Sequence, residues 1–560
     1  MRTFAQRLAA LHNLVLFPLF FAAVALSHLT LLRLPYFWDE AGYYIPAALD
    51  FYHHGWLIPH FTNAHPPVPN ILLGTLWHIT GYNILSTRLL VCAFAAVGLL
   101  AVYRLAQNLL GPAAAIAVAV LTACYSIWFA QSTLAHADIF SAAFTLCAFT
   151  VYFSQDRRLD RSSISRHPER SQQDEVEGSL NLSSADSGKY STRSLILLAT
   201  LFSLAALSKE TAIVQPATLA ALELYRLLRK HPASTRRLAA LSVPALPLAA
   251  WFAWHHLHTG FTFGNPDYLR YNATANFTLA HIFTALYHRG VHLFWQRNIW
   301  LPIVLAFACF FLPRRSRTLG LAPRYLLPIL LLIAANWFTF SVLGGALLTR
   351  YLLPVYPLIL LLCVATWMER TKWWPLFVVF TAAVFLSALW IDPPTQFAPE
   401  DNLTYRDMIV VHQQAIAYID EHHPGATVLT AWPASIELFS PELGYTDRCI
   451  KVFPIENFFL PAVQKASQDP GSYDAALIFP TKYASPSLRA YLLSHPDSAR
   501  GRDFAANHDV SPYEAAAILG GHVEKVFQQN GEWAAVLHFD RSYEASLNPM
   551  ERSALRTKQK

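Results

Sequence analysis

The sequence predicts a polytopic α-helical membrane protein with a C-terminal soluble α/β domain. Of its 560 residues, 54% are hydrophobic and only 14% are charged. The deficit of charge is uneven: residues 1–391 are almost continuously apolar, whereas residues 392–560 have the composition of a water-soluble domain. Basic residues between the apolar stretches also alternate in density along the chain, as expected when loops lie on opposite faces of a bilayer.

Eleven stretches are candidates for spans: about 12–34, 84–108, 112–130, 133–153, 194–208, 211–229, 238–258, 292–312, 323–343, 350–369 and 373–391. Residues 1–20 have the outline of a signal peptide. No small-residue cleavage site follows them, so the segment is read as an uncleaved first span. Arg2 and Arg7 precede it, which orients it from inside to outside. The segment 68–80 is too short to cross and is expected in the interface. Loops assigned to the inside carry Arg157, Arg158, Arg161, Arg226, Arg229, Lys230, Arg236, Arg237, Arg314, Arg315, Arg317, Arg370 and Lys372. Outer segments before residue 392 carry only Arg33, Arg88, Lys209, Arg270, Arg289, Arg297 and Arg350. An odd number of spans then puts residues 392–560 outside. The net charge of +6 reflects this topology and implies no nucleic-acid partner.

The inner loop 154–193 is rich in Ser, Arg, Asp, Glu and Gln, cannot bury enough apolar surface to fold, and is expected to be disordered. The outer segments 35–67 and 259–291 are long and rich in Tyr, His, Trp, Asn and Pro, the composition of loops that carry function on a rigid scaffold. In the soluble part, Thr404 is expected to cap a helix with an apolar face of Met408, Ile409, Ile416 and Ile419, ended by Pro424-Gly425. Strands are expected at 426–430, 450–453, 473–479, 522–527 and 533–539. Cys449 is the one cysteine of this domain, so no disulfide forms within it, and no metal-type cysteine spacing exists. A glycine-rich phosphate loop and an Asp-x-Asp triplet are also missing, which leaves a sugar-nucleotide site unsupported.

Chemistry is concentrated on the assigned outer face. Trp38-Asp39-Glu40 places two carboxylates at the membrane surface, where an acid pair is costly unless solvated or used. The bland reading is an acid pair complementing the dipole of the following helix. Asp138, close to His136, opens a span on the outer side. Lys209, Arg270 and Arg350 run against the prevailing charge bias, although snorkelling to the interface accounts for Lys209 without any function. His255, His256 and His258, together with His53, His54 and His60, are loose candidates for a divalent metal site.

The runs WDEAGYY (38–44), HPPVPNILLGTLWHITG (65–81), AQSTLAHADIF (130–140), ALSKETA (206–212), GNPDYLRYN (264–272) and TRYLLPVYP (349–357) resemble those of polyprenyl-phosphate-sugar glycosyltransferases, in the same order. These integral-membrane GT-C enzymes include protein O-mannosyltransferases and lipid A aminoarabinose transferases. The resemblance implies about 11–13 transmembrane helices and a glycosyltransferase domain over 1–391. It implies an inverting transfer of a sugar from a polyprenyl-phosphate donor to a glycolipid, polysaccharide or protein acceptor. That reaction would occur on the outer face of a bacterial cytoplasmic membrane, among its lipids. By the resemblance Asp39 is the general base, while Glu40, His65, Asp138, Lys209, Arg270 and Arg350 line the substrate site. Sugar transfer passes through an oxocarbenium-like state, and the acceptor must lose a proton as it attacks. Cations facing the departing lipid phosphate stabilise its growing charge. Ala64-His65 departs from the Glu-Lys-Pro-Pro form of some relatives, removing a carboxylate from the metal contact seen there. A divalent metal ion is therefore left open and no other cofactor is implied. The competing classes are a transporter or flippase of lipid-linked glycans, which predicts inverted repeats that are not seen, and a membrane-anchored glycan-binding protein.

Overall fold

The computed structural model describes residues 2–59, 65–164, 191–231, 234–263, 278–315, 320–343, 346, 348–393, 397–481, 486–498, 501–502 and 508–539. The chain divides into two units. One comprises Met1–Arg33, Tyr43–Ile391 and Glu400–Asn402, and the other Leu34–Gly42, Asp392–Pro399 and Leu403–Lys560.

The first unit is helical. Its interior is built on helices Ile84–Leu110 and Ala137–Ile164, whose small residues Ala95, Ala96, Ala142 and Ala143 are buried and let the backbones approach. Gly98 shows how close the approach is, since a Cβ there would lie 3.6 Å from Ala143 Cα and 2.8 Å from the ring of buried Trp128 in the short helix Ser126–Gln131. Among the described residues, four helical runs are long and apolar enough to cross a bilayer: Ile84–Leu110, Ala137–Gln155, Thr235–Thr259 and Pro323–Leu343. Peripheral Pro323–Leu343 exposes Leu326, Leu327 and Leu330, the apolar face expected towards lipid.

Several expected spans are broken, and each break has a local cause. The first, expected over 12–34, is helical only over Asn13–Ser27, which His12 caps by accepting the Leu14 N–H at 3.2 Å, and a separate helix Arg2–Ala10 precedes it at a bend of 115°. The stretch 112–130 breaks at Tyr125, whose backbone is extended. The stretch 238–258 is not one of these: Thr235–Ser242 and Ala245–Thr259 are joined through Val243 and Pro244, which keep right-handed helical angles, into the single run Thr235–Thr259. The stretch 292–312 is interrupted where Arg297 and Asn298 take left-handed φ values of 52° and 65°. Shorter apolar helices occupy Pro112–Cys124, Thr192–Ser208, Trp300–Phe310 and Trp374–Ser387.

Two loop readings are corrected. Residues 279–291 are not a loop but part of helix Leu279–Phe294, started by Thr278 accepting the His281 N–H. Residues 40–54 are likewise helical, as a π-turn Glu40–Tyr44 followed by helix Ile45–His54. The helix that starts at Ala137 continues to Ile164, and the next begins at Thr192. The rest of the 154–193 segment, residues 165–190, lies outside the described residues.

The second unit is an α/β layer. Its strands are β1 (Thr427–Ala431), β2 (Lys451–Ile455), β3 (Ala475–Ile478), β4 (His522–Gln529) and β5 (Glu532–His538), in the order β2-β1-β3-β5-β4. Pairs β1–β2 and β1–β3 are parallel, and β3–β5 and β4–β5 are antiparallel. Central β3 is buried throughout, as its unbroken apolar run requires. Helix Thr404–His422 buries Met408, Ile409, Ile416 and Ile419. Thr404 is not its cap: Leu403 takes that position, and Thr404 Oγ1 donates to Asp392 Oδ1 at 3.1 Å. Asn530-Gly531 turns the chain between β4 and β5 with positive φ at both residues (49° and 97°), the geometry of a type I′ hairpin. Leu34–Gly42 joins this unit through the Tyr36 N–H donating to Leu443 O at 3.1 Å and Trp38 meeting Trp432 edge-on at 4.7 Å.

Glu532, beside that turn, gives this unit a pH dependence. Burial, then the charges of Asp392 and Asp407, push its carboxyl up to about 8. The folded chain thus keeps a proton that the unfolded chain releases near its ordinary value of 4.5. The contribution to stability is complete below pH 4.5 and is lost as pH rises towards 8. Glu532→Gln is expected to raise the thermal midpoint of the full chain by a few degrees at pH 8, on the order set by small-domain unfolding entropies, and by much less at pH 5. Tryptophan-monitored melting checks this, and equal shifts at both pH values would contradict it.

Candidate active site

The helical unit gathers three of the sequence-predicted residues into one buried ion-pair network. Asp138 stands in the first turn of helix Ala137–Ile164, where a carboxylate complements the dipole. Lys209 follows helix Thr192–Ser208 in extended conformation (φ −149°, ψ 119°), which turns its side chain back into the protein. Its Nζ donates to Asp138 Oδ1 at 2.6 Å and lies 3.7 Å from the centre of the Tyr351 ring. Both side chains are at most 7% exposed, so Lys209 does not snorkel. Arg350 lies in the 3-10 turn Thr349–Leu352. Its Nε is 3.4 Å from Asp138 Oδ2, and its Nη1 donates to Glu400 Oε1. Asp138 thus receives two cations, and Arg350 spans two carboxylates.

The backbone leading into Arg350 is itself held. Buried Arg289 donates to Leu348 O at 2.6 Å and to Ala346 O at 2.7 Å. Thr349 Oγ1 donates to Asp401 Oδ1. Removing one member of a buried ion pair costs roughly 3–5 kcal/mol because its partner is left uncompensated. The turn that carries Arg350 is therefore over-determined.

His65 makes a second pair. Its Nδ1 lies 3.0 Å from Glu210 Oε2, and its ring stacks on Tyr44 at 5.7 Å with a 10° tilt. Glu210 is the chain neighbour of Lys209, so the two pairs share the turn that ends helix Thr192–Ser208. A cleft beside the network is lined by Asp138, Lys209, Gln215, Asn336, Arg350 and Tyr351. Gln215 Nε2 donates to Asn336 Oδ1 at 2.6 Å in this lining, which also includes the apolar Phe340 and Pro354. Buried cations in a lining that also carries apolar side chains can bind an anionic group.

Asp39 and Glu40 belong to the C-terminal unit. Asp39 is half-buried and follows Trp38, which has a left-handed φ of 46°. Glu40 is fully buried, and its Oε2 accepts the Phe37 N–H at 2.9 Å, a local structural use of this acid. Arg270 and His60 lie outside the described residues. The three histidines of helix Ala245–Thr259 do not converge: His255 Nδ1 lies 2.7 Å from Phe261 O, His256 Nδ1 3.1 Å from Thr262 Oγ1, and His258 Nδ1 2.8 Å from Trp254 O. Among the described residues, the His/Cys/Asp/Glu group with metal-ligand proximity is His423, Glu524 and His538 instead.

Glu210, Arg289, Glu400 and Asp401 are site residues that sequence reading missed. Glu400 and Asp401 fall in the stretch assigned to the soluble domain, although Glu400–Asn402 folds with the helical unit. The available signal was the acid pair itself, placed just after the last apolar stretch.

Residues 64–160, which include His65 and Asp138, match the model of the dolichyl-phosphate-mannose-protein mannosyltransferase family. The comparison with curated proteins returns no match. Among solved structures, the chain is similar to ArnT from Cupriavidus metallidurans bound to undecaprenyl phosphate, with 13% identity and a TM-score of 0.49 over 92% of this chain and 97% of that one. It is also similar to the Archaeoglobus fulgidus oligosaccharyltransferase in the apo form, with 12% identity and a TM-score of 0.43 over 83% of this chain and 69% of that one. A third similarity is to AglB of the same organism in complex with an inhibitory peptide and a dolichol-phosphate, with 11% identity and a TM-score of 0.41 over 80% and 66%.

Proposed function

We propose that this chain is an inverting glycosyltransferase that moves a sugar from a polyprenyl monophosphate to an acceptor on the outer face of a bacterial cytoplasmic membrane. The observation that carries the reading is the convergence of Lys209 and Arg350 on Asp138 beside a partly apolar cleft. The family match over residues 64–160 supports it. In this reading Arg350 and Lys209, with Arg270 and His65, hold the donor phosphate and stabilise the charge that builds as it leaves. Asp138 keeps the two cations in place, and Asp39 takes the proton from the acceptor hydroxyl or amine. The acceptor is a glycolipid, polysaccharide or protein. The domain over 392–560 stands outside the membrane.

Mass analysis of the lipids and surface glycans of a deletion strain tests the reading. The expected result is one sugar lost from the envelope while its polyprenyl-phosphate form accumulates, and an unchanged envelope would overturn it. The sidedness has its own test. Alkaline phosphatase fused after Phe397 is expected to be active, and fused within 165–185 inactive. Reversed activities would place Asp39 in the cytosol and remove its proposed acceptor.

A further inference from the structure

The C-terminal unit holds a cluster of metal-ligating side chains that the proposed transfer does not use. His423 caps the C-terminal end of helix Thr404–His422. His538 ends β5 and stands opposite His522 on β4. Between them the β4–β5 ladder steps from Val523↔Leu537 to Lys525↔Val536, a bulge that skips Glu524. A bulge of this kind re-aims a side chain, and such bulges gather beside sites. Here it leaves Glu524 on the face covered by the helix: its Oε2 lies 2.7 Å from His423 Nε2, and its Oε1 accepts from the Tyr418 hydroxyl at 2.9 Å. The His423 ring lies over the His538 ring at 4.9 Å with a 24° tilt. One ligand atom from each of His423, Glu524 and His538 falls within 4.8 Å of the others.

We propose that His423, Glu524 and His538 bind a divalent cation of the zinc class at this edge of the sheet. Two imidazoles and one carboxylate are a donor set that zinc accepts, with further positions left to solvent. Ligands on one zinc lie about 2.0–2.2 Å from it, and so roughly 3.4 Å from one another; the His423–Glu524 hydrogen bond opens and His538 approaches as an ion enters, both by small side-chain rotations. Glu524 and His423 are partly exposed, at 26% and 12%, which gives the ion an entry path. Tyr418 is a positioning residue, fixing the second carboxylate oxygen as outer partners of metal ligands do. The ion would tie the end of helix Thr404–His422 to the β4–β5 hairpin. The cluster owes nothing to the transferase reading and stands or falls separately.

The test uses the full-length protein in detergent, stripped with a chelator and titrated with ZnCl2 and then CoCl2. The expected result is one equivalent of zinc bound, not displaced by MgCl2, and a visible cobalt spectrum of four- or five-coordinate intensity. His423→Gln, His538→Gln and Glu524→Gln are each expected to weaken that equivalent about tenfold or more. His255→Gln and His258→Gln are expected to leave it in place. X-ray absorption of the zinc-loaded wild type requires no variant to fold, and two imidazoles with oxygen donors are expected in the first shell. The absence of saturable zinc binding in the wild type would overturn the proposal. So would sulfur in the shell, or full retention of the equivalent in His423→Gln and His538→Gln.

Discussion

Asp39→Asn is expected to lower turnover about a hundred- to ten-thousand-fold, the usual effect of losing a positioned general base, while donor binding stays within error of the wild type. The substitution keeps size and hydrogen-bonding capacity and removes only the proton acceptor. Glu40 and Asp138 each have a structural use. Glu40 is buried, with Oε2 accepting the Phe37 N–H. Asp138 accepts from Lys209 at 2.6 Å and faces Arg350 at 3.4 Å, so its charge is committed to two cations. Asp39 is half-buried. Single-turnover kinetics at saturating donor measure the chemical step directly. Near-normal turnover in this variant would move the base elsewhere.

Arg350→Lys is expected to raise the apparent requirement for the lipid-linked donor by about ten- to a hundredfold, the range of one lost charged hydrogen bond. The requirement for the acceptor is expected to change little. The guanidinium bridges Asp138 through Nε and Glu400 through Nη1, and a lysine ammonium is one point charge that cannot span both. Arg350→Ala is the harsher change. It leaves two buried carboxylates short of a cation, at a cost of roughly 3–5 kcal/mol, and loss of folded protein is expected before loss of rate can be read. Donor and acceptor titrations of the lysine variant separate the roles. An effect confined to the acceptor titration would place Arg350 in the acceptor site and shift the donor contact to Lys209 and His65.

The C-terminal sheet was largely legible in the sequence because its strands are short β-branched or apolar runs bounded by Pro, Gly and polar turns. The expected strand at 473–479 contains Ala475–Ile478, and that at 533–539 nearly coincides with Glu532–His538. Hydropathy located the helical stretches but not their breaks. The left-handed Arg297 and Asn298, for example, carry no sequence signal. Helix Leu279–Phe294 does not stand out in the sequence because its His, Tyr and Arg residues mask a helical pattern.

Site residues were legible where a charge stood out against an apolar background, as at Asp138, Lys209 and Arg350. Their pairing was not, because contacts between residues 71 or 50 positions apart depend on helix packing that no local pattern encodes. The metal-ligand group was missed for the same reason. His423, Glu524 and His538 are scattered in sequence, and a one-residue bulge brings the carboxylate to the imidazoles.

Direct transfer of label tests the central claim. Purified full-length protein is incubated with acceptor-containing membranes and either a polyprenyl-phosphate-linked radiolabelled sugar or the corresponding nucleotide sugar. The account predicts that label leaves the lipid for the acceptor fraction only with the lipid-linked donor, and that Asp39→Asn abolishes the movement. Transfer from the nucleotide sugar would contradict it, as would passage of the intact lipid-linked sugar across sealed vesicles with no new glycosidic bond.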